Sequence, residues 1–208
     1  MRKLKLQVQI TVDGYVGGPD GDHDWRIWNW DDELKAFAYP LRDVCDTILL
    51  GRKMAEGFIP HFEDTVNNLQ GKHADKASEE KFTYANRMVS MPKIVFSKTM
   101  KTFHGKNVSV ENGDFVTAIK NLKSRPDNYR ELSGKEGKDM IVYGGAGFVS
   151  SLIKEGLIDE FNFFVNPVMI NKGLRIFDLL EHRQKLSLIS ATAYDCGISV
   201  VVYKLDNE

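Results

Sequence analysis

Three short stretches carry residue types suited to a phosphorylated ligand. In 141-IVYGGAGFVSSLIKEGLIDEF-161 an apolar run ends in Gly144-Gly145-Ala146-Gly147, and a helical pattern follows with Phe148 in its first turn. Such a turn lacks side chains and opens a helix, so it offers free N–H groups and the positive end of a dipole to a phosphate or pyrophosphate. The plainer reading is a tight strand-to-helix turn with no ligand. The dinucleotide fingerprint G-x-G-x-x-G is not met: Ser150 stands where its last small residue belongs, and the next strand ends at Val165-Asn166 without a carboxylate for a ribose. At 48-ILLGRKMAEGF-58 a strand again ends in glycine, Gly51, followed by Arg52 and Lys53. At 94-IVFSKTM-100 a strand ends in Ser97-Lys98-Thr99. In an α/β sheet ligands gather at the carboxyl ends of strands. Arg52 and Lys98 could clamp a ribose 2′-phosphate, which selects NADPH over NADH. Each cation alone reads as a solvated surface charge; three such strand ends together favour a ligand.

Hydride transfer also needs a proton source and a wall for a flat ring. Asp13, after the first strand, either hydrogen-bonds a substrate or carboxamide or caps the turn Asp13-Gly14. Glu33 is the second acid; its other reading is a first-turn charge complementing a helix dipole. Trp25, Trp28 and Trp30 either stack on a heterocycle or form a core and lid cluster, and Tyr15 is a further stacking candidate. The histidines His23, His61, His73, His104 and His182 show no ligand spacing, so no metal is expected.

These residues need a scaffold. Leu4, Leu6, Val8, Ile10 and Val12 alternate with polar residues, as in a strand from about Lys3 to Val12. Asp31 can N-cap a helix carrying Leu34, Phe37, Ala38 and Leu41, with Pro40 straining it or ending it early. Thr47 to Leu50 reads as a buried strand and Arg52 to about Phe58 as a helix. Glu63 to Glu80 is polar and reads as an insertion with a surface helix near its end. Strands are expected at Lys93–Phe96, Asn107–Val110, Met140–Tyr143 and Phe161–Val168. Helices are expected at Gly113–Lys123 and from the glycine turn to about Glu155, with a loop at Ser124–Lys138. Leu186–Tyr194 and Ile198–Leu205 around Asp195-Cys196-Gly197 read as an antiparallel hairpin. The pattern implies one three-layer α/β domain over residues 1–208, mostly parallel, with that hairpin at its C-terminal edge.

At 208 residues the chain suits one domain, and its net charge of −1 gives no basic excess for nucleic acid or an anionic membrane. No stretch is apolar enough to span a bilayer, and the start lacks a signal-peptide core. Cys45 and Cys196 form no C-x-x-C pair; both read as small core residues in a reducing cytoplasm.

Five segments taken in order resemble the RibD C-terminal domain family of riboflavin-biosynthesis reductases. They are 11-TVDGYVGGPDGDHDW-25, 46-DTILLGRKMAE-56, 93-KIVFSKT-99, Gly144 to Phe161, and 167-PVMINKGLRIF-177. The resemblance spans most of the chain. It implies the dihydrofolate-reductase fold and NADPH as hydride donor. It places Gly51-Arg52-Lys53, Ser97-Lys98-Thr99 and Gly144 to Phe148 along the dinucleotide. It sets the stretch from Val12 through Val16 to Gly18 beside the nicotinamide and substrate, with Asp13, Tyr15 and Trp28 as substrate contacts. It further implies a cis peptide at Gly144–Gly145, and in part a homodimer formed through Phe161–Val168 and Ile198–Leu205. Met54, Phe148 and Asn171 depart from the family pattern, standing where Thr, Leu and Gly are common. The implied function is reduction of a phosphorylated aminouracil; the alternatives are a dihydrofolate or pteridine reductase, to which 33-ELKAF-37 is similar, and a non-catalytic nucleotide-binding protein.

Overall fold

The computed structural model describes residues 1–72, 75–124 and 138–206. Strand β1 (Leu4–Thr11) leads through a long loop to α1 (Asp32–Asp43) and β2 (Cys45–Gly51). Helices α2 (Arg52–Leu69) and α3 (Lys76–Ser90) follow, then β3 (Lys93–Phe96), β4 (Val108–Glu111) and α4 (Phe115–Ser124). The chain continues as β5 (Asp139–Val142), α5 (Ala146–Lys154), β6 (Glu160–Asn166), β7 (Leu186–Ala193) and β8 (Ser199–Leu205). Among the described residues the strands form one sheet in the order β4-β3-β2-β5-β1-β6-β8-β7. From β4 to β6 every pairing is parallel; β8 runs antiparallel to both β6 and β7. This is the expected mostly parallel sheet with an antiparallel C-terminal hairpin, whose turn closes by Tyr194 N–H to Ile198 O at 2.9 Å.

Two apolar layers hold the helices on the sheet. Leu4, Leu6, Val8 and Ile10 of β1 pack with Ile119 of α4 and Val149, Leu152 and Ile153 of α5. On the opposite face Ile48 and Leu50 of β2 pack with Ala55 and Ile59 of α2 and Met88 of α3, while Leu34 and Ala38 of α1 pack on Phe164 and Val200. The Asp31 cap is present: its Oδ1 accepts from Leu34 N–H at 2.7 Å, and its Oδ2 accepts from Cys196 N–H at 2.9 Å. One carboxylate thus starts α1 and ties it to the C-terminal hairpin.

Several expectations need correction. Pro40 does not stop α1, which runs on to Asp43, and α2 passes through Pro60 to Leu69 rather than ending near Phe58. A proline removes one helical hydrogen bond; burial of Leu41 beyond Pro40 and of Ile59 beside Pro60 offsets that loss. The polar segment from Glu63 is therefore the end of α2, and α3, N-capped by Asp75, carries it onward. The Ser124–Lys138 loop falls almost wholly outside the described residues. So does His73. Every peptide bond among the described residues is trans, Gly144–Gly145 included. The reversal is made instead by two successive glycines at φ 138° and 86°, a region closed to most side chains. Strands β6 and β8 lie inside the sheet, so neither is free to pair across a two-fold axis; the edge strands are β4 and β7.

Candidate active site

Parallel strands put their carboxyl ends along one edge of the sheet, and there β2 and β5 each deliver a glycine to a helix start. Gly51 is the N-cap of α2 and Gly145 of α5; neither helix has a side-chain cap or an acid in its first turn. Two sets of unpaired N–H groups and two positive dipole ends therefore converge on neighbouring strand ends. They border a cavity of about 880 Å³. Gly51 to Met54, Gly144 to Phe148, Phe96 and Val16 line it. Arg52 is half exposed, with Glu56 Oε1 at 3.8 Å, and stays available to an anion. The glycines are required by space. A Cβ on Gly51 would lie 2.7 Å from the Phe148 Cβ, and one on Gly145 would lie 3.2 Å from the Met54 Cβ.

A second cavity of about 560 Å³ adjoins the first. Arg26, Met54, Phe58, His61, Phe62 and Tyr143 line both. Its floor is the polar face of β1, Gln7 and Gln9, next to Phe164 of β6. Its walls are aromatic. Ring contacts run from Tyr39 of α1 to Tyr84 of α3, then to Phe62 and Phe58 of α2 and on to Tyr143. The segment read as a polar insertion thus supplies a wall through Thr65, Ala77 and Glu80, and α3 extends it with Lys81 and Tyr84. Trp28 and Trp30 close the side nearest the first loop. The Tyr143 hydroxyl is buried without a partner, and burial pushes its phenol well above the ordinary value.

Arg26 stands between the cavities. Its Nη2 donates to Val16 O at 2.7 Å, its Nε is buried without an acceptor, and its guanidinium lies 5.4 Å and 5.9 Å from the rings of Trp25 and Trp28. Burial pulls its pKa down to about 10. His23, on the first cavity, is also held low, by burial and then by the Arg26 charge.

Some expected site residues lie elsewhere. Asp13 lines neither cavity: its carboxylate accepts from the Thr11 hydroxyl at 2.6 Å and from the N–H groups of Ile170 and Asn171 at 3.0 and 2.8 Å. The Thr11 bond, with help from those amides, holds it below the usual carboxylate range. Asp13 clasps the end of β1 to the turn at Ile170-Asn171. Asn171 adopts φ 63°, so asparagine serves the turn where glycine is common. Tyr15 is buried, donates to Asn171 O and accepts from Arg175, which covers its ring, so it offers no stacking face. Val12 is 61% exposed and outside both cavities. Glu33 is exposed on α1 and lines neither cavity, because its neighbour Leu34 takes the inward position. Ser97, Lys98 and Thr99 lie past the wall, which ends at Phe96; the Ser97 hydroxyl accepts from Thr99 and Met100 N–H instead. Reasoning from sequence passed over Arg26, Gln7, Gln9 and His61. The signals were the polar side of the β1 alternation and an arginine inside the tryptophan cluster.

No helix among the described residues is long and apolar enough to cross a membrane. The model for the RibD C-terminal domain matches residues 2–200. The Bacillus subtilis (strain 168) protein YyaP, itself uncharacterized, is 27% identical over 205 residues, covering 97% of this chain and 94% of its own. A crystal structure of a candidate riboflavin biosynthesis protein from Shewanella sp. PV-4 superposes with a TM-score of 0.64 at 19% identity over the whole of both chains. Dihydrofolate reductase from Enterococcus faecalis, complexed with NADP(H) and RAB-propyl, reaches 0.55 at 13% identity over 99% of this chain and 97% of its own. These two likenesses establish the dihydrofolate-reductase-like fold.

Proposed function

Because the chain belongs to the RibD C-terminal domain family, we propose that it is an NADPH-dependent reductase of the riboflavin-biosynthesis type. In this reading it acts as one domain, residues 1–208, on a flat heterocycle, with the phosphorylated aminouracil of that pathway first to be tried. The observation that carries the proposal is the pair of uncapped helix starts at Gly51 and Gly145 on one cavity. Their N–H groups would hold the pyrophosphate, and Arg52 and Lys53 would stand at the phosphate end. The absence of side chains at Gly51 and Gly145 leaves the approach open. When bound, the cofactor supplies a hydride. The aromatic cavity beyond Met54 would orient the ring to be reduced and keep water from it.

A dihydrofolate or pteridine reductase is the weaker reading, since Glu33 is outside the cavities and Glu80, the carboxylate on the substrate wall, lies 3.7 Å from Lys35 Nζ and 3.8 Å from Lys76 Nζ. The same proposal has the protein act in the cytoplasm as a homodimer; a monomer mass by light scattering at micromolar concentration contradicts the dimer. The cofactor test is titration with NADPH and NADH followed by nicotinamide fluorescence. The expected result is saturable binding of NADPH in preference to NADH, weakened in Arg52→Ala. Absence of binding by either overturns the proposal.

A further inference from the structure

A half-buried guanidinium beside aromatic rings, with its Nε withdrawn from water and no carboxylate in ion-pair range, gains from an anionic partner. Arg26 is in that position. None of the ion pairs among the described residues involves it. Its one hydrogen bond is to a backbone oxygen, its Nε has no acceptor, and its low pKa reports the same lack of compensation. The buried lysines are satisfied in other ways: Lys123 pairs with Asp159 at 2.6 Å, and Lys93 Nζ donates to the backbone oxygens of Met88, Val89 and Met91 at 2.8–3.0 Å. Arg26, with a single backbone acceptor, stands where two cavities meet.

The rest of the second cavity says what carries the anion. Aromatic side chains dominate its lining, among them Trp28, Trp30, Tyr39, Phe58, Phe62 and Tyr84, and give faces for a planar molecule. Beyond the tyrosines, Thr65 is the hydroxyl on its lining, which includes no serine, asparagine or aspartate. The other polar side chains of the wall are His61, Lys35, Lys81 and Glu80, so a polyol chain would find few neutral partners there. The amides of Gln7 and Gln9 are the polar groups of the floor, and the Gln9 Oε1 is already taken by Asn166 Nδ2 at 3.1 Å. We infer that Arg26 is the specificity-determining residue of the substrate cavity, and that it receives an anionic oxygen group borne on or next to the ring of a flat aromatic substrate. This rests on the reductase reading for the cavity's role and, within it, moves the expected substrate from the phosphorylated aminouracil to a ring that bears its own anionic group.

A matched pair of fluorescent probes tests it on the full chain without cofactor. 8-Anilinonaphthalene-1-sulfonate carries the anion; N-phenyl-1-naphthylamine is the same ring system without it. The wild-type protein is expected to bind the sulfonate roughly tenfold more tightly, as one charge-assisted hydrogen bond implies. In Arg26→Met that preference is expected to vanish while the neutral probe binds as before, and Arg26→Lys is expected to keep part of it. Trp28→Ala, at an exposed position that folding tolerates, is expected to weaken both probes. Ribose 5-phosphate is expected not to displace the sulfonate. Equal binding of both probes by the wild type, an unchanged preference in Arg26→Met, or displacement by ribose 5-phosphate overturns the inference. So does a loss of NADPH affinity in Arg26→Met with the sulfonate preference intact, which would give Arg26 to the cofactor. A protein that binds no NADPH but shows the Arg26-dependent preference refutes the reductase reading and leaves the anion site standing.

Discussion

Gly51 and Phe148 close the gap between two strand ends: a Cβ added at Gly51 would lie 2.7 Å from the Phe148 Cβ. The ring of Phe148 is in turn stacked on Phe96 at 5.1 Å, so it has no room to withdraw. The carboxyl ends of β2, β3 and β5 are thereby locked to one another through a position that tolerates only hydrogen. Gly51→Ala is expected to cost about 1–3 kcal/mol through overpacking and to weaken NADPH binding. Urea denaturation and fluorescence titration read the two effects separately, and wild-type values in both contradict the packing account.

Gly173 approaches the first loop closely, its missing Cβ aimed into the Gly17 carbonyl oxygen at φ 156°. The contact is flanked by Val16 N–H to Leu174 O at 2.9 Å and Leu174 N–H to Gly17 O at 2.8 Å. Gly173→Ala is expected to release the loop that carries Arg26 and the tryptophans. Tryptophan emission should shift to the red and acrylamide quenching should rise, while far-ultraviolet circular dichroism stays native.

Cys45 is fully buried, and that burial pushes its thiol up to about 12. An unfolded thiol ionises near 8.5. Between those values the folded chain holds one more proton than the unfolded chain, so stability falls as pH rises, by about 1.4 kcal/mol per unit from this group. Below pH 8 the group contributes no slope. In Cys45→Ala the alkaline loss should be correspondingly shallower. An aromatic disulfide reagent at pH 8 should titrate one thiol, Cys196, in the native protein and two after denaturation.

Glu33 is exposed on α1 outside both cavities. Glu33→Gln is therefore expected to leave NADPH affinity, and turnover of any substrate found by screening, within twofold of wild type. A larger loss of turnover would restore the acid role that the string 33-ELKAF-37 suggests.

Much of the scaffold was legible because local chemistry and tertiary role agree. The alternation of β1, the Asp31 cap, the glycine turns at Gly51 and Gly145 and the Asp195-Cys196-Gly197 hairpin each follow from one short-range rule. The misreadings arose where packing overrides such a rule. Pro40 and Pro60 are helix breakers in isolation, yet both sit in helices whose apolar faces are buried. Gln7 and Gln9 looked like the solvent side of a strand. That face lies beneath side chains of α1, α2 and α3, so Gln7 and Gln9 floor a cavity, and only the tertiary arrangement reveals that. Asp13 shows the converse: its spacing suits chemistry, but three donors from its own loop and a distant one consume it.

The wall of the second cavity built from α2 and α3 is continuous in sequence, from Met54 to Ala85. The cradle at Gly51 and Gly145 shares with that stretch the part of α2 up to Phe62, and nothing beyond it. Replacement of the chain from Thr65 to Ala85 by the corresponding segment of a relative is a single-segment graft that changes the wall of the second cavity and leaves every residue lining the first in place. In a lineage, the same arrangement lets substrate range diverge by drift in one hairpin while the nucleotide end is inherited unchanged.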